Sequence, residues 1–353
     1  MSSSTFSLAR LGWRPFHSQQ LTLQDFESAH PARVTSVHRS GLIVLSEQGS
    51  ATVTAPPRVL DTIEFPITVG DWLLIEHDAP RVCRVLSPYS LIKRQAAGTD
   101  HRLQTIAANL DTLFVVTSCN NDFNLSRLER YLALAYEAQV EPVILITKAD
   151  LTDNPTSYID EIQTLGTNAT AITINATDAT QVATTLAPWL QPGQTVAFVG
   201  SSGVGKSTLV NTLIGQSQQE TGSIREDDSK GRHTTTSREM FPLASGAWII
   251  DTPGMRELKI GAIGSGLRTV FDNVEALAEQ CHFRDCRHES EAGCAVLAAV
   301  AAGKLDPRRL ANYHKLQREA ALAGMSNRER RARNRQFGRI TASAMKIKGR
   351  NKR

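Results

Sequence analysis

The residues Gly200-Ser201-Ser202-Gly203-Val204-Gly205-Lys206-Ser207 fit GxxxxGK[ST] at every fixed position. They follow the apolar run TVAFV and precede a helix-compatible stretch at 208–214, the strand-to-helix setting that a phosphate loop requires. Glycines let the backbone wrap closely around phosphates, and the N–H groups at a helix start point towards the anion. Lys206 is placed to reach the β- and γ-phosphates, and the Ser207 hydroxyl to ligate Mg²⁺. Residues 200–207 are expected to hold the phosphates of a nucleotide.

Outward from this loop the texture is that of an α/β domain. The apolar runs TLFVV (112–116), VILI (143–146), TAITI (170–174), VAFV (196–199) and AWII (247–250) are bounded by polar turns, and 125–140 has helical spacing. Short buried strands alternating with helices predict an open parallel sheet. Before it, VTSVH, GLIVLS, SATVT, DWLLIEH and RVCRVLS are short alternating runs separated by Gly, Pro and Asp, the pattern of a small all-β barrel. Pattern alone does not separate an OB-fold from an SH3-like barrel. Residues 1–30 are rich in Ser and Gln and read as poorly ordered, apart from a possible anchor at Leu11-Gly12-Trp13. The expected organisation is a leading segment (1–30), a barrel (31–95), the nucleotide domain (96–262), a helical Cys/His module (263–325) and a basic tail (326–353).

Further motifs complete the nucleotide site. Asp251-Thr-Pro-Gly254 follows the strand AWII, where P-loop enzymes place the carboxylate that holds Mg²⁺. Between the two motifs, Gly231-Arg-His233-Thr234-Thr-Thr236 offers a loop threonine for Mg²⁺ and the γ-phosphate; an ordinary Ser/Thr turn is the alternative. The stretch 222–236 is polar, without a strong apolar anchor, and reads as disordered. Thr147-Lys148-Ala149-Asp150 ends the strand VILI, and Asn175-Ala176 ends TAITI. A carboxylate such as Asp150 accepts two hydrogen bonds from the guanine N1–H and exocyclic amine, which adenine does not offer, and such pairing discriminates strongly.

Composition narrows the class. The chain has 353 residues, 41% hydrophobic and 21% charged, as in soluble globular proteins. Its longest apolar run, Ala295 to Ala302, is well short of the roughly eighteen residues that span a bilayer. No signal-peptide pattern opens the sequence, and five cysteines, three of them within 281–294, read poorly as a disulfide framework. A cytoplasmic protein without a membrane partner is expected. The net charge of +4 is uneven: residues 304–353 carry sixteen Lys and Arg against three acids, so the rest of the chain is net −9. Clustered cations with few aromatics suit a phosphate backbone rather than base reading, a solubilising tail being the alternative.

The order of the boxes is unusual. Ordinary Ras-like GTPases run phosphate loop, switch threonine, DxxG, NKxD and a final Ser-Ala box. In this chain TKAD and Asn175-Ala176 precede Gly200, and the other elements follow it. Joining the usual ends and reopening the chain after DxxG gives this order with the same sheet. On these residues the sequence resembles the circularly permuted GTPases, and in particular the small-ribosomal-subunit-dependent GTPase A family, over nearly its whole length. The resemblance implies an OB-type barrel, phosphate contacts from 200–208 and Gly254, Mg²⁺ held with GTP by Ser207, Thr234 and Asp251, and guanine contacts from Thr147, Lys148, Asp150, Asn175 and Ala176. It further implies action in late maturation of the small (30S) subunit, whose rRNA is then the tail's polyanion, with slow GTP hydrolysis that the subunit stimulates. Thr147 stands where the family has Asn, and Asn175-Ala176 is a loose match to Ser-Ala.

The second chemical cluster lies in CHFRDCRHESEAGC, residues 281–294. Cys281, Cys286, His288 and Cys294 make a Cys₃His set suited to one closed, structural zinc; His282 competes, but its neighbour Cys281 makes joint ligation awkward. Only residues 255–277 separate DTPG from this module, so γ-phosphate loss is expected to move it through that link. The residue after DTPG is Met255, whose thioether cannot orient water as a glutamine does, which makes His233 the local candidate for that task. The whole reading is a monomeric GTP/GDP-binding ribosome assembly GTPase. The rivals are a nucleic-acid-binding scaffold with a structural nucleotide site and an ATP-dependent P-loop enzyme.

Overall fold

The computed structural model describes residues 6–38, 40–95, 103–221, 238–251 and 263–324. The leading segment is not the poorly ordered stretch that its composition suggests. Residues 6–28 carry two short helices, α1 (Pro15–Ser18) and α2 (Leu23–Ser28), and pack into a seam between barrel and sheet. Leu11 and His17 are fully buried, Trp13 meets Trp72 edge-on at 4.8 Å, and Arg14 pairs with Asp111. The His17 Nε2 lies 3.2 Å from Asn109 Oδ1, and the Trp248 indole donates to Arg10 O over 2.8 Å. A few large apolar and aromatic side chains outweigh the many polar ones around them, and composition averages such anchors away.

Next comes the barrel, β1 (Ala29–His38), β2 (Gly41–Ser46), β3 (Gly49–Val53), helix α3 (Pro57–Leu60), β4 (Trp72–Glu76) and β5 (Val82–Val85). Along β2 burial alternates strictly, as expected of a strand with one face in a core. Antiparallel pairs β1–β2, β2–β3, β1–β4 and β4–β5 are closed by a parallel bridge from Thr54 to Arg81. That five-stranded closure, with a helix between β3 and β4, is the OB arrangement rather than the SH3-like one. The antiparallel pair β6 (Leu91–Gln95) and β7 (Leu103–Ala108) then straddles the expected boundary at 95/96.

The α/β domain runs β8 (Thr112–Ser118), α4 (Leu125–Glu137), β9 (Glu141–Thr147), α5 (Thr156–Gln163), β10 (Thr170–Thr173), α6 (Ala179–Leu186), β11 (Thr195–Gly200), α7 (Lys206–Thr221), β12 (Arg238–Pro242) and β13 (Trp248–Asp251). The strand order is β10-β9-β8-β11-β13-β12, parallel except for β12. Every residue of β8 is buried because helices cover both faces. Phe114, Val116, Val196 and Phe198 face α6 and α7; Leu113, Val115, Ala197 and Val199 face α4 and the C-terminal helices. The sheet also continues into the barrel, since β12 pairs with the end of β1 at Ser36–Glu239 and Val37–Arg238.

Helices α8 (Gly264–Val270), α9 (Asp272–Ala278), α10 (Ala295–Ala301) and α11 (Pro307–Gly324) share the α4 face of that core through Leu267, Val274, Val296 and Leu316. At Gly266 a Cβ would lie 2.0 Å from Ala133 O, so only glycine lets α8 approach α4 this closely. The four-helix module is therefore not a separate bead on the chain.

Candidate nucleotide site and metal centre

In a parallel sheet, ligands bind beyond the carboxyl ends of the strands, where the chain's order of strands reverses. Here that point lies between β8 and β11: the chain leaves β8 for β9 and β10, then returns to β8's other side. Among the described residues, four of the expected motifs fall at this end. The phosphate loop follows β11, TKAD ends β9, Asn175-Ala176 follows β10, and Asp251 ends β13.

Gly200 sits where a Cβ would come within 2.2 Å of Val116 O on β8, so the loop starts against its neighbouring strand. Lys206 Nζ donates to the loop's own carbonyls, Gly200 O at 2.9 Å and Ser201 O at 2.5 Å. The hydroxyl residues Ser202, Ser207 and Thr208 are exposed, whereas Val204 is buried as the loop's anchor.

Thr147 joins the TKAD loop to the loop at 200–207. It is fully buried, and its hydroxyl donates to Val204 O over 2.6 Å, with Thr117 O a second acceptor at 3.1 Å. Its carbonyl accepts from the Cys119 N–H at 2.9 Å. A threonine in place of asparagine therefore still reaches the loop, through one short hydroxyl bond. Lys148 adopts a left-handed conformation (φ 59°) that turns the chain into Ala149–Leu151 and leaves Asp150 exposed at the rim. Burial, and after it the Asp150 charge, pushes the Cys119 thiol up. Beside TKAD, Asn175 Oδ1 accepts from the Thr177 N–H at 3.0 Å, and Thr212 Oγ1 of α7 donates to Ala176 O at 2.9 Å. Both base-side loops are thus tied to the phosphate-loop unit.

The hydroxyl of Ser207 and the carboxylate of Asp251 are hard oxygen donors of the kind Mg²⁺ takes beside a nucleotide's phosphates. His233, Thr234 and Gly254 lie outside the described residues, as do the stretch 222–236, Met255 and the basic tail from 325. Sequence reading missed Arg127 and Thr212, which belong to no motif. The only signal for either is helical position next to a strand end.

Between α9 and α10, ligand atoms of Cys281, Cys286, His288 and Cys294 lie within 4.8 Å of one another. Cys281 Sγ is 3.8 Å from Cys294 Sγ, and His288 Nδ1 is 3.6 and 3.4 Å from the same two sulfurs. A zinc tetrahedron with Zn–S near 2.3 Å has S–S edges of about 3.8 Å and slightly shorter S–N edges. The donor set fits zinc, and the imidazole standing with the three sulfurs is that of His288, not His282. Burial, opposed by the His288 N–H and reinforced by Cys294 and Cys281, pushes the Cys286 thiol up to about 11. Against the opposing effect of burial, the N–H groups of Val296 and Ala295 hold the Cys281 thiol down. Cys294 also caps α10, accepting from the Leu297 N–H at 3.4 Å.

A family model described as RsgA GTPase matches residues 85–261, and one described as 50S ribosome-binding GTPase matches 195–334. The chain is 49% identical over 346 residues to the small ribosomal subunit biogenesis GTPase RsgA 2 of Vibrio parahaemolyticus, covering 98% of this chain and 95% of that protein. It is 48% identical to the small ribosomal subunit biogenesis GTPase RsgA of Mesorhizobium japonicum, covering 90% and 91%. Among solved structures, YjeQ from Thermotoga maritima superposes with a TM-score of 0.60 at 22% identity, over 84% of this chain and all of that one. YloQ, a circularly permuted GTPase, superposes at 0.56 with 22% identity, over 84% and 97%. These two likenesses concern the fold.

Proposed function

The chain belongs to the RsgA GTPase family, and from that membership we infer a GTP-hydrolysing enzyme of small-ribosomal-subunit biogenesis that acts on the 30S subunit itself. The observation that carries the site assignment is the Thr147–Val204 bond, which joins the TKAD loop to the phosphate loop. In this reading residues 200–208 hold the phosphates, with Gly254. Ser207, Asp251 and Thr234 hold the Mg²⁺ that the family's chemistry takes with GTP. Asp150 accepts from the guanine edge, while Thr147, Lys148, Asn175 and Ala176 form the rest of the base pocket. His233 orients the attacking water; its assignment, with those of Thr234 and Gly254, stands on sequence.

Cys281, Cys286, His288 and Cys294 hold one zinc that fixes the turns of residues 281–294 and takes no part in hydrolysis. The cationic residues after 304 contact rRNA phosphates. We place the protein in the cytoplasm as a monomer; among the described residues no helix is long and apolar enough to cross a membrane. Asp150 disfavours an ATP-dependent enzyme, and Lys206, Ser207 and Asp251 together disfavour a scaffold with an inert nucleotide.

The test is multiple-turnover phosphate release with and without purified 30S subunits. Slow release from GTP alone, accelerated at least tenfold by 30S and not by the large subunit, is expected, on the scale that a supplied catalytic group gives. Fast release without subunits, or equal stimulation by the large subunit, would overturn the reading.

A further inference from the structure

In the first turn of α4, outside every motif, Arg127 points its guanidinium at the phosphate loop: Nη1 donates to Ser201 Oγ over 2.6 Å. Its backbone N–H is fixed by the N-cap Asn124, which accepts it at 2.9 Å. Three nearby arginines have carboxylate partners: Arg130 with Glu319, and Arg308 and Arg309 with Glu129. Among the described residues no carboxylate pairs with Arg127. A half-buried guanidinium touching a phosphate loop and paired with no acid is a cation suited to an anion.

The same turn of α4 is gripped from the other side. Glu129, fully buried, accepts from Arg309 Nη1 at 2.8 Å, from Arg308 Nη1 at 3.0 Å and from Asn312 Nδ2 at 2.5 Å, all on α11. Ser126 joins them: its hydroxyl accepts from Arg308 at 3.1 Å and its carbonyl from Asn312 at 3.1 Å. Over four residues, Ser126 to Glu129, α4 therefore holds the phosphate loop on one side and the first turns of α11 on the other. The link once expected through residues 255–277 has a parallel in this direct contact.

We propose that Arg127 is a positioning residue of the GTPase site, which sets the phosphate loop through Ser201 and couples it to the C-terminal helical module through α4. A change in phosphate content at 200–207 shifts Arg127, and the α4 turn carries the shift to Glu129 and α11. By reciprocity of coupling, force on the module returns to the loop. The inference rests on residues 200–207 being the phosphate site.

The test compares full-length, zinc-loaded wild type, Arg127→Ala and Arg127→Lys, each with GDP or with a non-hydrolysable β,γ-imido GTP analogue. Amide hydrogen exchange is followed at residues 308–312. In wild type the two nucleotides should change exchange there by about fivefold or more, the lower end of ordinary allosteric coupling. Arg127→Ala should reduce that difference below about twofold, and Arg127→Lys should restore part of it. In 30S-stimulated turnover, Arg127→Ala should lower kcat about tenfold with KM for GTP within about threefold, kcat being counted per titrated nucleotide-binding site so that loss of folded protein does not mimic the split. An undiminished nucleotide-dependent difference in Arg127→Ala, or none in nucleotide-bound wild type, overturns the proposal. Failure of wild type to bind either nucleotide overturns the site reading as well. If Arg127→Ala does not fold, Arg127→Lys decides: a full wild-type difference and kcat there, with the Ser201 bond geometry lost, contradicts the proposal.

Discussion

The nucleotide site and the Cys₃His knuckle solve the same task, holding a few atoms in place, by opposite means. The knuckle draws four ligands from fourteen consecutive residues, 281–294, and has little apolar interior of its own. The candidate nucleotide site draws on segments from 147 to 251, each at the end of a strand of one sheet, with bonds such as Thr147–Val204 and Thr212–Ala176 tying some of them together. One should collapse locally when a ligand is lost, whereas the other should tolerate the loss of any one tie. The module's helices follow the second pattern, because Phe271, Val274 and Leu316 are buried in the core they share with the sheet.

The largest effect is expected at the knuckle. Structural zinc contributes on the order of 10 kcal/mol in isolated peptides. Cys286→Ala should abolish stoichiometric zinc and raise proteolysis within 281–294, while α11 stays protected by Glu129 and the shared core. Limited proteolysis with metal analysis checks this; full zinc occupancy in the variant, or collapse of α11 with the knuckle, would erase the contrast.

A second break acts on the sheet side alone, through the buried seam that supports the amino ends of β8 and β11. Burial lowers His17 to about 4, opposed by its Asn109 hydrogen bond and assisted by Arg33 and Arg14. Between about pH 6.5 and 4 the unfolded chain takes a proton that the folded chain refuses, so acidification removes roughly 3 kcal/mol. Asp71 has the opposite sign: burial raises it to about 7, so between about pH 7 and 4 the folded chain keeps a proton that the unfolded chain releases. The two contributions offset each other in wild type. Denaturation midpoints at several pH values should therefore diverge: His17→Gln should gain stability relative to wild type on acidification from pH 7 to 4, and Asp71→Asn should lose it. Identical pH profiles for the two variants would contradict this account of the seam.

The smallest effect belongs to Thr147. Removing its hydroxyl in Thr147→Val leaves Val204 O without its short bond, at a cost of about 1–2 kcal/mol. GTP affinity should fall by roughly tenfold, with the zinc knuckle untouched. Isothermal titration checks it, and an unchanged affinity would mean that the two halves of the site are held together by the sheet alone.

How far each region was legible follows from the same contrast. The knuckle could be read from spacing, His288 over His282 included, because its chemistry is contiguous; the structure brings the four side chains together. The permuted sheet could be read because the phosphate loop, TKAD, Asn175-Ala176 and Asp251 each follow a continuous apolar run, so motif order implied strand order. Contacts that depend on which helix face meets which loop were not readable. Arg127 looks like any helical arginine, and Glu129 like any solvated acid, until α11 is laid beside them. The seam at 6–28 was misread because the Ser and Gln of residues 1–30 were weighed as composition, whereas Leu11, Trp13 and His17 dominate the packing.

The central claim is that this permuted order assembles one guanine-specific pocket around Asp150. Guanine offers N1–H and an amine to a carboxylate, whereas xanthine offers N1–H and a carbonyl, which an amide side chain matches with one acceptor and one donor. The direct measurement is the affinity of wild type and Asp150→Asn for GTP and for xanthosine triphosphate. Wild type should prefer GTP, and Asp150→Asn should reverse the order, each preference reaching about a hundredfold or more. Retention of full GTP affinity by Asp150→Asn would contradict the claim.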